Sequence, residues 1–137
     1  MPKTLFIYPA VLMITLTLFL YVKSYLDFVK AKKSDAIKFS YFKTYKGEAP
    51  DYLEVSRQTL KNQFELPILF YFLTSMILIF DNNTILDLIF SWLFVISRYM
   101  HCYIRLTSNY VPNRAKAFKF GFCILIVWWI KFLVVTL

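Results

Sequence analysis

From Thr4 to Val22 the chain carries no charged side chain. These nineteen mostly apolar residues suffice, as a helix, to cross about 30 Å of hydrocarbon. The run is too long for the apolar part of a signal peptide. Lys23-Ser24-Tyr25 follows it, where a cleavage site would need small residues. The reading is a retained spanning helix over residues 5–28, with Pro9 in its first turns, where a proline costs least.

Composition extends this to the rest of the chain. Of 137 residues, 59% are hydrophobic and 18% charged, against about 45–50% and about 25% in soluble domains. A chain this short has too much surface per volume to hide so much apolar matter from water. Lipid is the expected solvent, and three further spans are expected, each less clean than the first. One over residues 61–80 must take in Glu65. One over 85–105 must take in Arg98, because only ten uncharged residues separate Asp87 from Arg98. One over 117–136 carries Lys131, expected to snorkel to the interface beside a Trp128-Trp129 belt. Asp81-Asn82-Asn83-Thr84 reads as a tight turn that makes the second and third spans an antiparallel hairpin. Asn83 or Thr84 is placed to cap the third helix, with Asp87 in its first turn. Thr107 to Arg114, with Pro112, is the next turn, and residues 30–56 form the one long connection. The fold class read from the sequence is all-α: a single domain over residues 1–137, an integral membrane antiparallel four-helix bundle.

The net charge of +8 is a topology signal. Lys30, Lys32, Lys33, Lys38, Lys43, Lys46 and Arg57 lie on the long connection and its edges; Arg105, Arg114, Lys116 and Lys119 lie on the third. The second turn has acids and no base. The positive-inside rule puts the first and third connections in the cytoplasm and both termini on the non-cytoplasmic side. Basic loops beside spans account for the charge, and no nucleic-acid partner is expected. The stretch Lys38 to Lys46 interleaves lysines with Phe39, Tyr41, Phe42 and Tyr45, and reads as a segment lying against anionic headgroups.

Ionisable groups within spans are functional hypotheses. Asn62 and Glu65 share one helix face, as do Arg98, His101 and Arg105 at i, i+3, i+7. Counted along the helices, Glu65 and Arg98 both fall about 13 Å from the cytoplasmic side. They are expected to meet and neutralise each other, either within a site or as a clamp on helix register. Asn62, His101, Lys61, Arg105 and Arg114 complete a polar layer. There His101 is a hydrogen-bonding partner or a base, and Arg114 a lipid anchor or an anion clamp. Pro67 frees a carbonyl near residue 63 and is expected to kink the second span. One histidine and two cysteines cannot form a four-ligand zinc site, so no metal is expected. A Ser-His-Asp triad fails because Asp81 and Asp87 lie at the face opposite His101. Two glycines exclude phosphate-binding glycine loops and a Gly-x-x-x-Gly dimer motif. Cys102 and Cys123 read as reduced packing residues.

Three segments together resemble the family of membrane-associated proteins in eicosanoid and glutathione metabolism, MAPEG, over most of the chain. Tyr41-Phe42-Lys43 followed by Gly47-Glu48-Ala49-Pro50 is similar to the cytoplasmic loop of the family's bacterial branch. Lys61-Asn62-Gln63-Phe64-Glu65-Leu66-Pro67 resembles its second-helix signature. Arg98-Tyr99-Met100-His101, then Asn109 and Arg114, resemble the third-helix Arg-x-x-His pattern and the downstream arginine. The resemblance implies a homotrimer in a bacterial inner membrane, with sites in crevices between protomers. It implies glutathione there as cofactor, with Asn62, Glu65, Arg98, His101 and Lys61 lining or supporting it. Arg114 would be catalytic, stabilising the thiolate, since a nearby cation lowers a thiol's pKa.

The departures lie in the cation set. Lys61 stands where the family's enzymes present an arginine, a point charge in place of a fork. Gln58 occupies a position that is often basic, and the first span offers no arginine. Two functional readings follow. One is a glutathione- or thiol-dependent transferase, isomerase or peroxidase acting on a lipophilic small molecule. The other is a non-catalytic scaffold, lipid-binding protein or subunit of a larger membrane complex.

Overall fold

A computed structural model describes residues 2–45 and 47–136. Lys46, counted above among the basic loop residues, lies outside the described residues. The first helix, α1 (Ile7–Lys33), follows a 3-10 turn over Lys3–Phe6. It runs past the expected end at residue 28 because no breaker intervenes. Lys30, Lys32 and Lys33 also sit at its carbonyl end, where cations favour the helix dipole. A short helix, α2 (Tyr41–Thr44), follows in the long connection.

The second rod differs most from expectation. Helix α3 (Asp51–Lys61) begins ten residues before the expected start at 61. Pro50 precedes it, and Asp51 and Glu54 fill its first turn, a favourable start for a helix with one apolar face. The chain then tightens into a 3-10 turn over Asn62–Phe64 and leaves helical geometry at Glu65 (φ −105°, ψ −99°). It resumes as α4 (Leu66–Ile79), with Pro67 in the first turn. The kink expected from Pro67 lies here, because proline cannot donate back into the ladder.

Helix α5 (Ile85–Leu106) starts on a capping box. The Thr84 amide donates to Asp87 Oδ2 at 2.9 Å, and the Asp87 amide to Thr84 Oγ1 at 3.4 Å. Helix α6 (Val111–Thr136) starts six residues before the expected 117. Pro112 sits in its first turn, where a missing N–H costs nothing, so Arg114 and Lys116 are helical rather than in the turn. The rods Lys3–Lys33, Asp51–Ile79, Ile85–Leu106 and Val111–Thr136 are each long and apolar enough to cross a membrane. No strand occurs among the described residues.

Helix α1 packs along α3, and α5 along α6. Gly121 lets α6 approach α5 closely, since a Cβ there would meet Ser97 Oγ at 2.4 Å. The central core is aromatic: Phe70 stacks on Phe94 at 5.0 Å between ring centres and lies 6.0 Å from Trp128, all three fully buried. The outer faces expose Leu18, Val22, Ile79 and Val134. Such apolar exposure along every rod suits lipid rather than water. In the long connection, Tyr41 is buried and Phe42 packs edge-on to Phe28 at 5.1 Å. The Tyr41 hydroxyl donates to Glu54 and accepts from Arg57 Nη1 at 2.6 Å. The segment expected against headgroups therefore turns Tyr41 and Phe42 to the bundle and leaves Lys38, Phe39 and Lys43 outward.

Candidate functional site

The end where α1 stops and α5 passes to α6 gathers the basic polar layer. Arg98 is fully buried. Its Nη2 lies 3.5 Å from the Asn62 carbonyl, which the break between α3 and α4 frees from the helix ladder. Its Nε and Nη1 have no hydrogen-bond partner. Its guanidinium sits over the Phe118 ring, 5.5 Å from the centre, and His101 approaches the same ring at 5.7 Å. His101 Nδ1 is 3.1 Å from the Arg114 carbonyl, and its Nε2 is buried without a partner. Arg105 Nη2 donates to Gln58 Oε1 at 2.6 Å. Arg114 Nη1 donates to Asn109 Oδ1 at 2.6 Å, with Asn109 in the left-handed region at φ 48°. Among the described residues no carboxylate lies within 4.0 Å of Arg98, Arg105 or Arg114.

The structure therefore joins Asn62, Arg98, His101 and Arg114 and leaves two site residues outside. Glu65 is exposed and makes no ion pair with Arg98, against the expected meeting of the two. The physical reason is the break itself. The 3-10 turn and the non-helical Glu65 change the angular phase along the rod, so equal depth does not mean equal direction. Lys61 is also exposed. It lines a groove of about 560 Å³ with Ser24, Tyr45, Arg57, Gln58 and Phe64, on the α1 side of the rod. Arg57 is fixed at this groove by stacking on Tyr45 at 3.8 Å and by the Tyr41 hydroxyl.

Sequence reasoning missed two sets of contacts. Gln63 Nε2 donates to Cys102 Sγ at 3.3 Å inside the basic layer. Both cysteines are free, Cys102 buried as packing and Cys123 exposed on its rod. At the opposite end, Asp87 is fully buried and accepts from Lys131 Nζ at 2.6 Å, Trp128 Nε1 at 2.8 Å and Thr84. Lys131 thus does not snorkel, and Trp128 is core rather than interfacial belt. One acid and one base, each a few residues from the same end of adjacent spans, were the available signal.

Chemically, the basic layer is an array of buried donors with excess positive charge, suited to an anionic acceptor such as a carboxylate oxygen or a thiolate sulfur. Four membrane-spanning helices around such a layer define an integral membrane protein with an intramembrane polar site. The MAPEG family model matches residues 6–134, nearly the whole chain, and the chain belongs to that family. No curated protein and no solved structure matches it.

Proposed function

We propose that this MAPEG protein binds glutathione or a related acidic thiol and transfers its thiolate to a lipophilic electrophile. The working form would be three copies of an antiparallel four-helix bundle, with sites completed between neighbours. The basic end would face the cytoplasm of a bacterial inner membrane, with both termini outside. The observation that carries this reading is Arg98, a fully buried guanidinium with two N–H-bearing atoms unpartnered and, among the described residues, no carboxylate within 4.0 Å. A buried cation without a partner is costly, and an anionic ligand at this layer removes that cost. Arg114, held in place by Asn109, is the group assigned to thiolate stabilisation. His101 and Asn62 shape the layer around Arg98. Lys61 and Glu65 stand on the outer surface, where a neighbouring copy would bring them to the ligand.

The test is calorimetric titration of the detergent-solubilised protein with glutathione, followed by the ultraviolet thiolate band. Weak binding is expected, because Lys61 and Gln58 replace forked donors. Arg114→Ala should remove the band while binding persists; a band of unchanged strength assigns Arg114 elsewhere. A second reading, a non-catalytic scaffold, is favoured by two contacts: Gln58 and Asn109 already occupy Arg105 and Arg114. Absence of any thiol binding, with glutathione conferring no thermal protection, would support it.

A further inference from the structure

Three apolar grooves run along the outer surface of the spans, and charge distinguishes them. The groove between α1 and α5, about 520 Å³, has Lys23 at its edge. Lys23 Nζ lies 2.5 Å from Asp27 Oδ2, so that edge is neutral. The groove between α1 and α4, about 400 Å³, is lined by no charged side chain. The groove between α5 and α6, about 410 Å³, has an unmatched cation at its mouth. Its floor is small, with Ser97 and Ala117. Its walls include Met100 and Phe120, 54% and 52% exposed. Asn113 and Lys116 stand at the basic end. Lys116 is exposed, and no carboxylate lies within 4.0 Å of it among the described residues.

Position along α6 matches a lipid's own polarity. Lys116 lies five residues and Phe120 nine residues into α6, about 7 Å and about 13 Å from its start. The cation therefore sits at headgroup depth, and the apolar trough below it sits at acyl-chain depth. An ammonium is strongly hydrated and, at the edge of hydrocarbon, seeks an anion. We propose that the α5–α6 groove binds an anionic phospholipid, with an acyl chain along Met100, Ala117 and Phe120 and the headgroup phosphate on Lys116 and Asn113. The groove shares no lining residue with the basic layer and does not depend on any thiol chemistry.

The experiment is native mass spectrometry of the full chain, purified in detergent and exposed to equal amounts of phosphatidylglycerol and phosphatidylcholine. The wild type should retain phosphatidylglycerol preferentially. Lys116→Ala should lower that retention about fivefold, which corresponds to about 1 kcal/mol for one basic side chain near anionic lipid. Lys116→Arg should keep the preference, and Lys23→Ala should leave it unchanged. Ala117→Trp, which fills the trough, should lower retention of both lipids. A preference that survives Lys116→Ala, or that falls equally with Lys23→Ala, overturns the proposal. So does efficient bismaleimide crosslinking of two copies through Phe120→Cys in a Cys123→Ser background, because the groove would then be closed by a second copy.

Discussion

Substituting Asp87 by leucine removes a fully buried carboxylate that accepts from Thr84 Oγ1 at 2.5 Å, Lys131 Nζ at 2.6 Å, Trp128 Nε1 at 2.8 Å and the Thr84 amide at 2.9 Å. Two losses combine. The N-cap of α5 loses its reciprocal bond, worth about 1 kcal/mol. Lys131 loses its counter-ion, and breaking a buried pair costs about 3–5 kcal/mol. Lys131 is 18% exposed and near the end of α6, so after the substitution it can swing its ammonium outward. The total should therefore lie near the low end, about 4 kcal/mol. Lys131→Met leaves Asp87 with three donors and should cost about 1.5–3 kcal/mol, the range for a bond to a charged group. The double variant holds no unmatched charge. Its remaining deficits are the cap and the Trp128 N–H, about 1–2 kcal/mol together. The assay is unfolding of the detergent-solubilised protein followed by helical circular dichroism across the full mutant cycle. A double variant as unstable as the sum of the two singles would show no coupling and refute the reasoning.

Arg98→Met should raise the stability of the unliganded protein by about 1–4 kcal/mol, by removing an unpaired buried cation. The same variant should lose any thermal protection by glutathione, read from melting curves with and without the thiol. Lys61→Arg should tighten glutathione binding about fivefold in calorimetry, by restoring a fork at the outer face. Gly121→Ala should destabilise by about 1–3 kcal/mol through overpacking, because its Cβ would lie 2.4 Å from Ser97 Oγ and 3.3 Å from Ser97 Cβ. Adding Ser97→Ala should recover most of that loss in the same unfolding assay.

The spans were legible because apolar length is a strong local signal, and the Thr84–Asp87 cap because it lies within four consecutive residues. The start of α3 was hidden by its charges. A search for charge-free runs passes over Asp51, Glu54 and Arg57, whereas a helix needs only one apolar face, here with Leu53, Ser56 and Thr59 buried. The Glu65–Arg98 pair failed for a related reason. Depth can be counted along a regular helix, but direction cannot be carried across a break, and the residue expected to pair is the one at which the helix breaks. Asn62, Arg98, His101 and Arg114 were found because burying polar side chains in a span is conspicuous. Gln63–Cys102 was not, since neither residue type stands out alone and their contact spans two rods.

The two ends of the bundle handle buried charge in opposite ways, and this directs the search for chemistry. At the end where α1 starts and α6 stops, Asp87 is surrounded by donors, and Lys3 pairs with Asp81 at 2.8 Å. Among the described residues, each charged side chain at this end has a partner within the chain, so replacing the Asp87–Lys131 pair tests stability alone. At the basic end, Arg98 Nε and Nη1, Arg105 Nε, His101 Nε2 and Gln63 Oε1 are buried without hydrogen-bond partners. Three of these five atoms are arginine N–H donors; His101 donates from Nδ1 to the Arg114 carbonyl and so presents Nε2 as an acceptor, and the Gln63 oxygen is the other. A layer built only to fix helix register would be served better by complementary pairs or by apolar packing. An excess of donors instead favours an acceptor-rich, anionic ligand. The Arg98→Met experiment separates the alternatives: a structural layer loses stability with the arginine, whereas a ligand layer gains it and loses the ligand.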